Sequence, residues 1–200
     1  YGEHKVLTEQ GMIARYPEVV VCRMPLMFGD AGPVASSFIQ PMIRAMQKGR
    51  ELRLFVDEFR TPISEKIAVQ GIMLAIERAK GIIHLGGIER VSRYDFGRLL
   101  AEVAHFPDAR LIPCRQQDIE MAAPRSADVS LDNAKAVALG FKPLPLKEDL
   151  EAWFALHRCA LPGDLGLLPD GKPTLEHTDK FHSLARSIQE TIKKELVRKG

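Results

Sequence analysis

Long apolar runs are missing from this 200-residue chain, and no stretch reaches the ~20 residues that a bilayer-spanning helix needs. A basic start followed by a short apolar core, the mark of a secretory signal, is also missing within these residues. Cysteine is scarce. Cys22, Cys114 and Cys159 lie far apart and outside any Cys-x-x-Cys spacing, which predicts reduced thiols and a cytoplasmic protein without a membrane partner, with Cys22 in the core. Charge of one sign is missing too: 28 basic and 26 acidic residues leave a formal charge of +2, which gives no global attraction to polyanions and predicts no nucleic-acid partner. No glycine-rich Gly-x-x-Gly-x-x-Gly turn follows a strand near the start, so the chain does not supply the phosphate-cradling turn of a dinucleotide site. The nearest imitation, Gly163-Asp164-Leu165-Gly166, sits in a proline-rich stretch with no strand before it. His177 and His182, with Glu176 and Asp179, lack the helical His-x-x-x-His spacing, so no metal site is expected.

What is present begins at once. Tyr1 and Lys5 are four residues apart and fall on one face of a predicted helix. A phenol with a pKa of about 10 is a poor proton donor to a carbonyl at neutral pH unless its anion is stabilised. An ammonium about 5 Å away, at an effective dielectric of about 20, contributes about 3 kcal/mol, or about two pKa units. In open water the effect is about a quarter of that. The pair is therefore useful only where a wall or cofactor covers it. Glu9 continues the same face by one more four-residue step, Pro17 ends the segment, and Val19 to Met24 reads as a buried strand ending at Arg23, an arginine expected to hydrogen-bond to backbone.

The order of these features resembles the extended short-chain dehydrogenase/reductase family: a helix with Tyr1-Gly2-x-x-Lys5-x-x-x-Glu9, a strand ending in Arg23, then Pro25-Leu26-Met27-Phe28-Gly29. Within it, the dTDP-4-dehydrorhamnose reductase branch is matched in four places over about 1–155. These include Leu52 to Ile63, similar to the branch's strand and Asp-x-x-x-x-Pro loop; Gly81 to Gly87, a returning strand; Ser92 to Phe96, a helix start; and Arg125 to Asp132, similar to its Arg-Pro-x-x-x-x-Leu segment with Ser126 in place of Pro.

The resemblance implies an α/β fold: the carboxy-terminal portion of a doubly wound Rossmann-like sheet with a small α/β substrate-binding lobe. It implies that Tyr1 and Lys5 are catalytic, that Tyr1, Lys5, Pro25 and Leu26 line a site for NADPH or NADH, and that Leu26, Arg60 and Arg125 meet a nucleotide-sugar substrate. The implied reaction is reduction of a 4-keto nucleotide sugar. Leu26 stands where the rhamnose-forming reductases tend to place a large aromatic, and this stretch looks closer to the regulatory subunit of methionine adenosyltransferase, a dinucleotide-binding module without turnover. An epimerase or dehydratase of nucleotide sugars is a further alternative. Lacking the glycine-rich turn and the family's upstream Ser or Thr, these residues are expected to be the carboxy-terminal part of a longer enzyme and inactive by themselves.

For organisation, 1–28 and about 81–87 are read as cofactor-sheet elements and the rest to 156 as substrate lobe. A helix over 64–79 is predicted to bury Ile67, Ala68, Gly71, Ile72, Ala75 and Ile76. A second over 92–105 is capped by Ser92 with Asp95 three residues on, and a third over 134–139 stops at Gly140. Prolines and glycines make 157–180 a linker. The spacing of Phe181, Leu184, Ile188, Ile192 and Leu196 predicts an amphipathic tail helix over 181–200 that docks on its own chain or on the twin helix of a homodimer.

Overall fold

The computed structural model describes residues 2–30, 37–120, 123 and 125–157. In chain order the first elements are α1 (Gly2–Arg15), β1 (Val20–Arg23), β2 (Met27–Phe28), α2 (Ile39–Gln47), β3 (Leu52–Phe55), β4 (Phe59–Arg60), β5 (Ile63–Ser64) and α3 (Glu65–Arg78). There follow β6 (Gly81–His84), β7 (Val91–Ser92), α4 (Arg93–Val103), β8 (Leu111–Cys114), α5 (Ala134–Ala138) and α6 (Leu146–His157). Three strand pairs are parallel, β1 with β6, β2 with β5 and β3 with β8, while β4 and β7 run antiparallel. Parallel pairing of strands separated by helices is the α/β pattern the sequence predicted.

Local chemistry sets the helix ends. The Ser64 hydroxyl accepts from the Ile67 N–H at 3.3 Å and the Ser92 hydroxyl from the Asp95 N–H at 3.0 Å, each offsetting one unpaired donor of a first turn. Ser92 Oγ also donates to Asp95 Oδ2 at 2.6 Å, which fixes the cap. Gly140, at φ +107°, supplies a backbone conformation that side chains resist and stops the chain after α5.

Two apolar clusters form the core. One gathers Phe28, Ile39, Ile43, Leu54, Phe96, Leu100, Leu146, Leu150, Trp153 and Phe154 from β2, α2, β3, α4 and α6. The other gathers Ile63, Ile67, Ala68, Ala75, Ile83, Leu85, Ala136 and Phe141 around α3, β6 and α5.

Several expectations are corrected. The strand at β1 is half-buried along its whole length and Cys22 sits at the margin of the second cluster, because α1 contributes no buried residue to cover it. Ile76 is 47% exposed and Ile72 half-buried: α3 presents a stripe narrower than its apolar spacing, with Ile67, Ala68, Gly71 and Ala75 inward. The stretch read as a loop after Asp57 contains the short strands β4 and β5. Strand β8 and helix α6 were not anticipated. The linker expected from 157 and the tail helix over 181–200 lie outside the described residues, except that His157 ends α6, and Tyr1 and Cys159 lie outside them too.

Candidate functional site

Parallel register brings the carboxyl ends of β1 and β6 to the same place, with Arg23 opposite His84, and this is where open α/β sheets bind ligands. The chain leaves β1 through half-buried Met24, Pro25 and Leu26 and leaves β6 through buried Leu85, Gly86 and Gly87. The β4–β5 segment is stitched across both exits. The Leu26 carbonyl accepts from Ile63 N–H at 3.2 Å and the Thr61 carbonyl from Gly87 N–H at 3.0 Å. A Cβ on Gly87 would lie 2.4 Å from the Pro62 carbonyl oxygen, so only glycine allows this approach.

Helix α1 reaches this edge through the Glu9–Arg23 ion pair. Glu9 Oε2 accepts from Arg23 Nη2 at 2.7 Å and Glu9 Oε1 from Arg23 Nε at 3.1 Å, and Arg23 Nη1 reaches His84 Nε2 at 3.4 Å. The Arg23 hydrogen bonds hold the Glu9 carboxyl below its usual range; the smaller desolvation effect opposes them. Arg23 therefore serves a side-chain bridge between helix and strand, where a backbone role was expected. Lys5, one turn before Glu9, is exposed. A two-unit effect on a phenol thus requires a further surface over this face.

The densest charge cluster stands on β4 and α4. Glu58, buried just before β4, faces three guanidiniums: Arg60 Nη2 at 3.3 Å from Oε1, Arg93 Nε at 3.9 Å from Oε1, and Arg125 Nη1 at 3.8 Å from Oε2. Backbone geometry makes the meeting possible. Phe59 N–H donates to the Ala127 carbonyl at 2.7 Å and Phe59 bridges to Asp128, which lays the 125–129 segment beside β4, while Arg93 N–H donates to the Glu58 carbonyl at 3.0 Å. Arg60 also donates to the Ser126 carbonyl at 3.3 Å. Arg93 stacks over the Phe38 ring, and Arg90 stacks over Phe59 while pairing with Asp128 at 2.7 Å. Burial pushes the Arg93 guanidinium below the usual arginine range; Glu58 opposes that shift, and Arg60 and Arg125 add to it. Among the described residues, Glu58 Oε2 and Arg93 Nη1 are buried and have no hydrogen-bond partner.

Of the residues predicted for the site, Arg60 and Arg125 are brought together at Glu58, while Lys5, Pro25 and Leu26 lie along α1 and the exit of β1. Glu58 and Arg93 were missed. A signal existed for Arg93: it opens α4, where a cation opposes the helix dipole, so a carboxylate nearby is to be expected.

The model of the RmlD substrate binding domain family matches residues 1–159. The chain belongs to this family. Methionine adenosyltransferase 2 subunit beta of Danio rerio is 25% identical over 148 residues, covering 70% of this chain and 46% of that protein. The solved dTDP-4-dehydrorhamnose reductase of Clostridium acetobutylicum superposes with a TM-score of 0.71 at 24% identity, covering 79% of this chain and 55% of that one. The Bacillus anthracis dTDP-4-dehydrorhamnose reductase, solved in complex with NADP, gives 0.70 at 21% identity, covering 78% and 55%. The solved structures show a Rossmann-like fold, and membership of the RmlD substrate binding domain family bears out the resemblance to the extended short-chain dehydrogenase/reductase family. The chain spans about half the length of the relatives it matches.

Proposed function

We propose that the RmlD-like chain supplies the catalytic helix and the substrate-recognition arginines of a nicotinamide-dependent reductase acting on a 4-keto nucleotide sugar. The observation that carries this reading is the convergence of Arg60, Arg93 and Arg125 on one buried carboxylate, three charges from separate segments, with Arg60 next in chain to the Thr61 whose carbonyl accepts from Gly87 beyond β6. Planar guanidiniums match phosphate oxygens geometrically, so Arg60 and Arg125 are suited to a diphosphate. Tyr1 donates the proton to the sugar's keto oxygen, and Lys5 orients the cofactor ribose and lowers the Tyr1 pKa. Pro25 and Leu26 form the wall of the nicotinamide side, since the chain passes there half-buried and Leu26 is pinned by Ile63. The cofactor, NADPH or NADH, supplies the hydride when bound. Free Cys22 and Cys114 accord with a cytoplasmic setting, and a homodimer is the proposed assembly.

In the complete protein, Tyr1→Phe is expected to remove nearly all reduction of a dTDP-4-keto sugar while cofactor binding stays nearly intact, with Lys5→Ala harming both. Equal turnover by Tyr1→Phe and the parent would sink this reading. Leu26, together with the likeness to methionine adenosyltransferase beta subunits, favours a second one: a dinucleotide-binding regulatory subunit without turnover. That reading predicts cofactor binding with no reduction of any nucleotide sugar by the complete protein.

A further inference from the structure

The tri-arginine cluster is built with one internal negative charge, and its arithmetic carries a consequence for selectivity. Three guanidiniums against one carboxylate leave two net positive charges. The neighbouring Arg90–Asp128 pair is neutral and leaves that balance unchanged. Glu58, Arg60 and Arg125 all act on the Arg93 guanidinium, and all three arginines lie within 4 Å of the Glu58 carboxylate. Glu58 is no surface carboxylate attached by chance, because its side chain is 7% exposed and Oε2 has no hydrogen-bond donor among the described residues. A buried carboxylate left short of hydrogen bonds carries a desolvation cost, offset here by the arginines around it, and an oxygen that those arginines do not satisfy leaves its charge felt by a ligand at the cluster.

We propose that Glu58 is a specificity-determining residue: it sets the cluster to match the double negative charge of a diphosphate diester and to disfavour a nucleoside diphosphate with a free terminal phosphate. The inference rests on the nucleotide-sugar reading above. A sugar ester of a diphosphate has one ionised oxygen per phosphate, whereas the free diphosphate gains a further charge as pH rises past its last ionisation, near about 6. Attraction by the three arginines grows with each ligand charge, and so does repulsion by Glu58. The carboxylate therefore trims the advantage of the more highly charged ligand. It favours substrate over the same nucleotide stripped of its sugar.

The test is calorimetric titration of the complete protein with dTDP and dTDP-glucose at pH 8 and low salt. Glu58→Gln is expected to raise affinity for dTDP relative to dTDP-glucose by about fivefold, a factor set by one unit charge acting over several ångströms of wet protein. Arg125→Gln, at a 61% exposed side chain, is expected to move the ratio the other way by a similar factor. At pH 5, where dTDP loses its extra charge, both shifts should collapse, an effect that a purely structural role for Glu58 would not produce. A ratio unchanged in Arg125→Gln and in every folded Glu58 variant, with both ligands still binding the parent, overturns the charge-matching role alone. If the parent binds neither ligand, the nucleotide-sugar reading falls with it.

Discussion

Asp149 on α6 holds Ser64 with both carboxylate oxygens: Oδ2 accepts from the Ser64 N–H at 2.8 Å and Oδ1 from its hydroxyl at 2.6 Å, across 85 positions of sequence. Both side chains are buried, and Ser64 in turn caps α3 through Ile67 N–H. A helix of the first apolar cluster thereby fixes the start of a helix of the second.

Asp149→Ala leaves two buried donors on Ser64 without an acceptor, so it should cost about 2 to 3 kcal/mol in urea unfolding at pH 7. Burial pushes the Asp149 carboxyl above the ordinary 3.8, and the Ser64 hydrogen bonds only partly oppose it. A folded value above the unfolded one means that the folded state binds the proton more tightly. This contribution is fully present below about pH 3.8 and is lost as pH rises through the folded value. Relative to Asp149→Asn, the parent should therefore lose stability across that window; a parallel pH dependence of the two would contradict the assignment.

Asp128 gives the opposite case. Hydrogen bonds from the Ser130 hydroxyl and N–H, then from Arg90, lower its carboxyl to about 2. Stability linked to Asp128 is present above the unfolded value of 3.8 and is lost as pH falls through about 2. Ser130→Ala should move the carboxyl carbon's NMR titration midpoint up toward the ordinary range. No movement would show that Ser130 is not the main cause.

Glu58→Ala should destabilise the protein by about 3 kcal/mol, since it leaves the buried Arg93 guanidinium beside Arg60 and Arg125 with no counter-charge. Adding Arg93→Met should restore much of the loss in thermal unfolding. Additive losses in the double variant would mean that the two residues are not energetically coupled.

Gly87→Ala should cost about 2 kcal/mol by overpacking, because the new methyl meets the Pro62 backbone at 2.4 Å, where no side chain can swing away. Gly2→Ala, with nothing within 4 Å, is the matched control and should be neutral or mildly stabilising in the same denaturation experiment.

Elements whose ends carry their own chemistry were legible in the sequence. Ser92 announced α4, the apolar spacing from Ile67 to Ala75 announced α3, Gly140 announced the end of α5, and the Val-rich run announced β1. What escaped depended on distant partners. Strand β8 contains Pro113 and exists because β3 pairs with it, Leu52 opposite Leu111. Helix α6 carries Leu146, Leu150, Trp153 and Phe154 at helical spacing after Pro145, a readable stripe, but buried Asp149 on the same helix breaks its apolar face. In the candidate site Arg60 and Arg125 could be picked out from resemblance, whereas nothing in the local sequence sets Glu58 apart from other acids. Only the docking of 125–129 beside β4 reveals what it neutralises.

The register of β1 against β6 also governs how the chain finds its fold. Arg23 and His84 face each other across 61 positions, and closing a loop of that length costs about 4 kcal/mol of chain entropy before a single ladder bond compensates. Helices α3 and α4, with caps three residues from their partners, need no such closure. Like the β3–β8 pairing and the Ser64–Asp149 contact, the parallel pair is expected to form after the capped helices, and with it the edge where helix α1, the Leu26 exit and the Thr61–Gly87 stitch come together. Truncating Val21 to Ala should accordingly speed unfolding in stopped-flow experiments while leaving the refolding rate almost untouched, the signature expected if the edge that carries the candidate site assembles after the capped helices and opens before them.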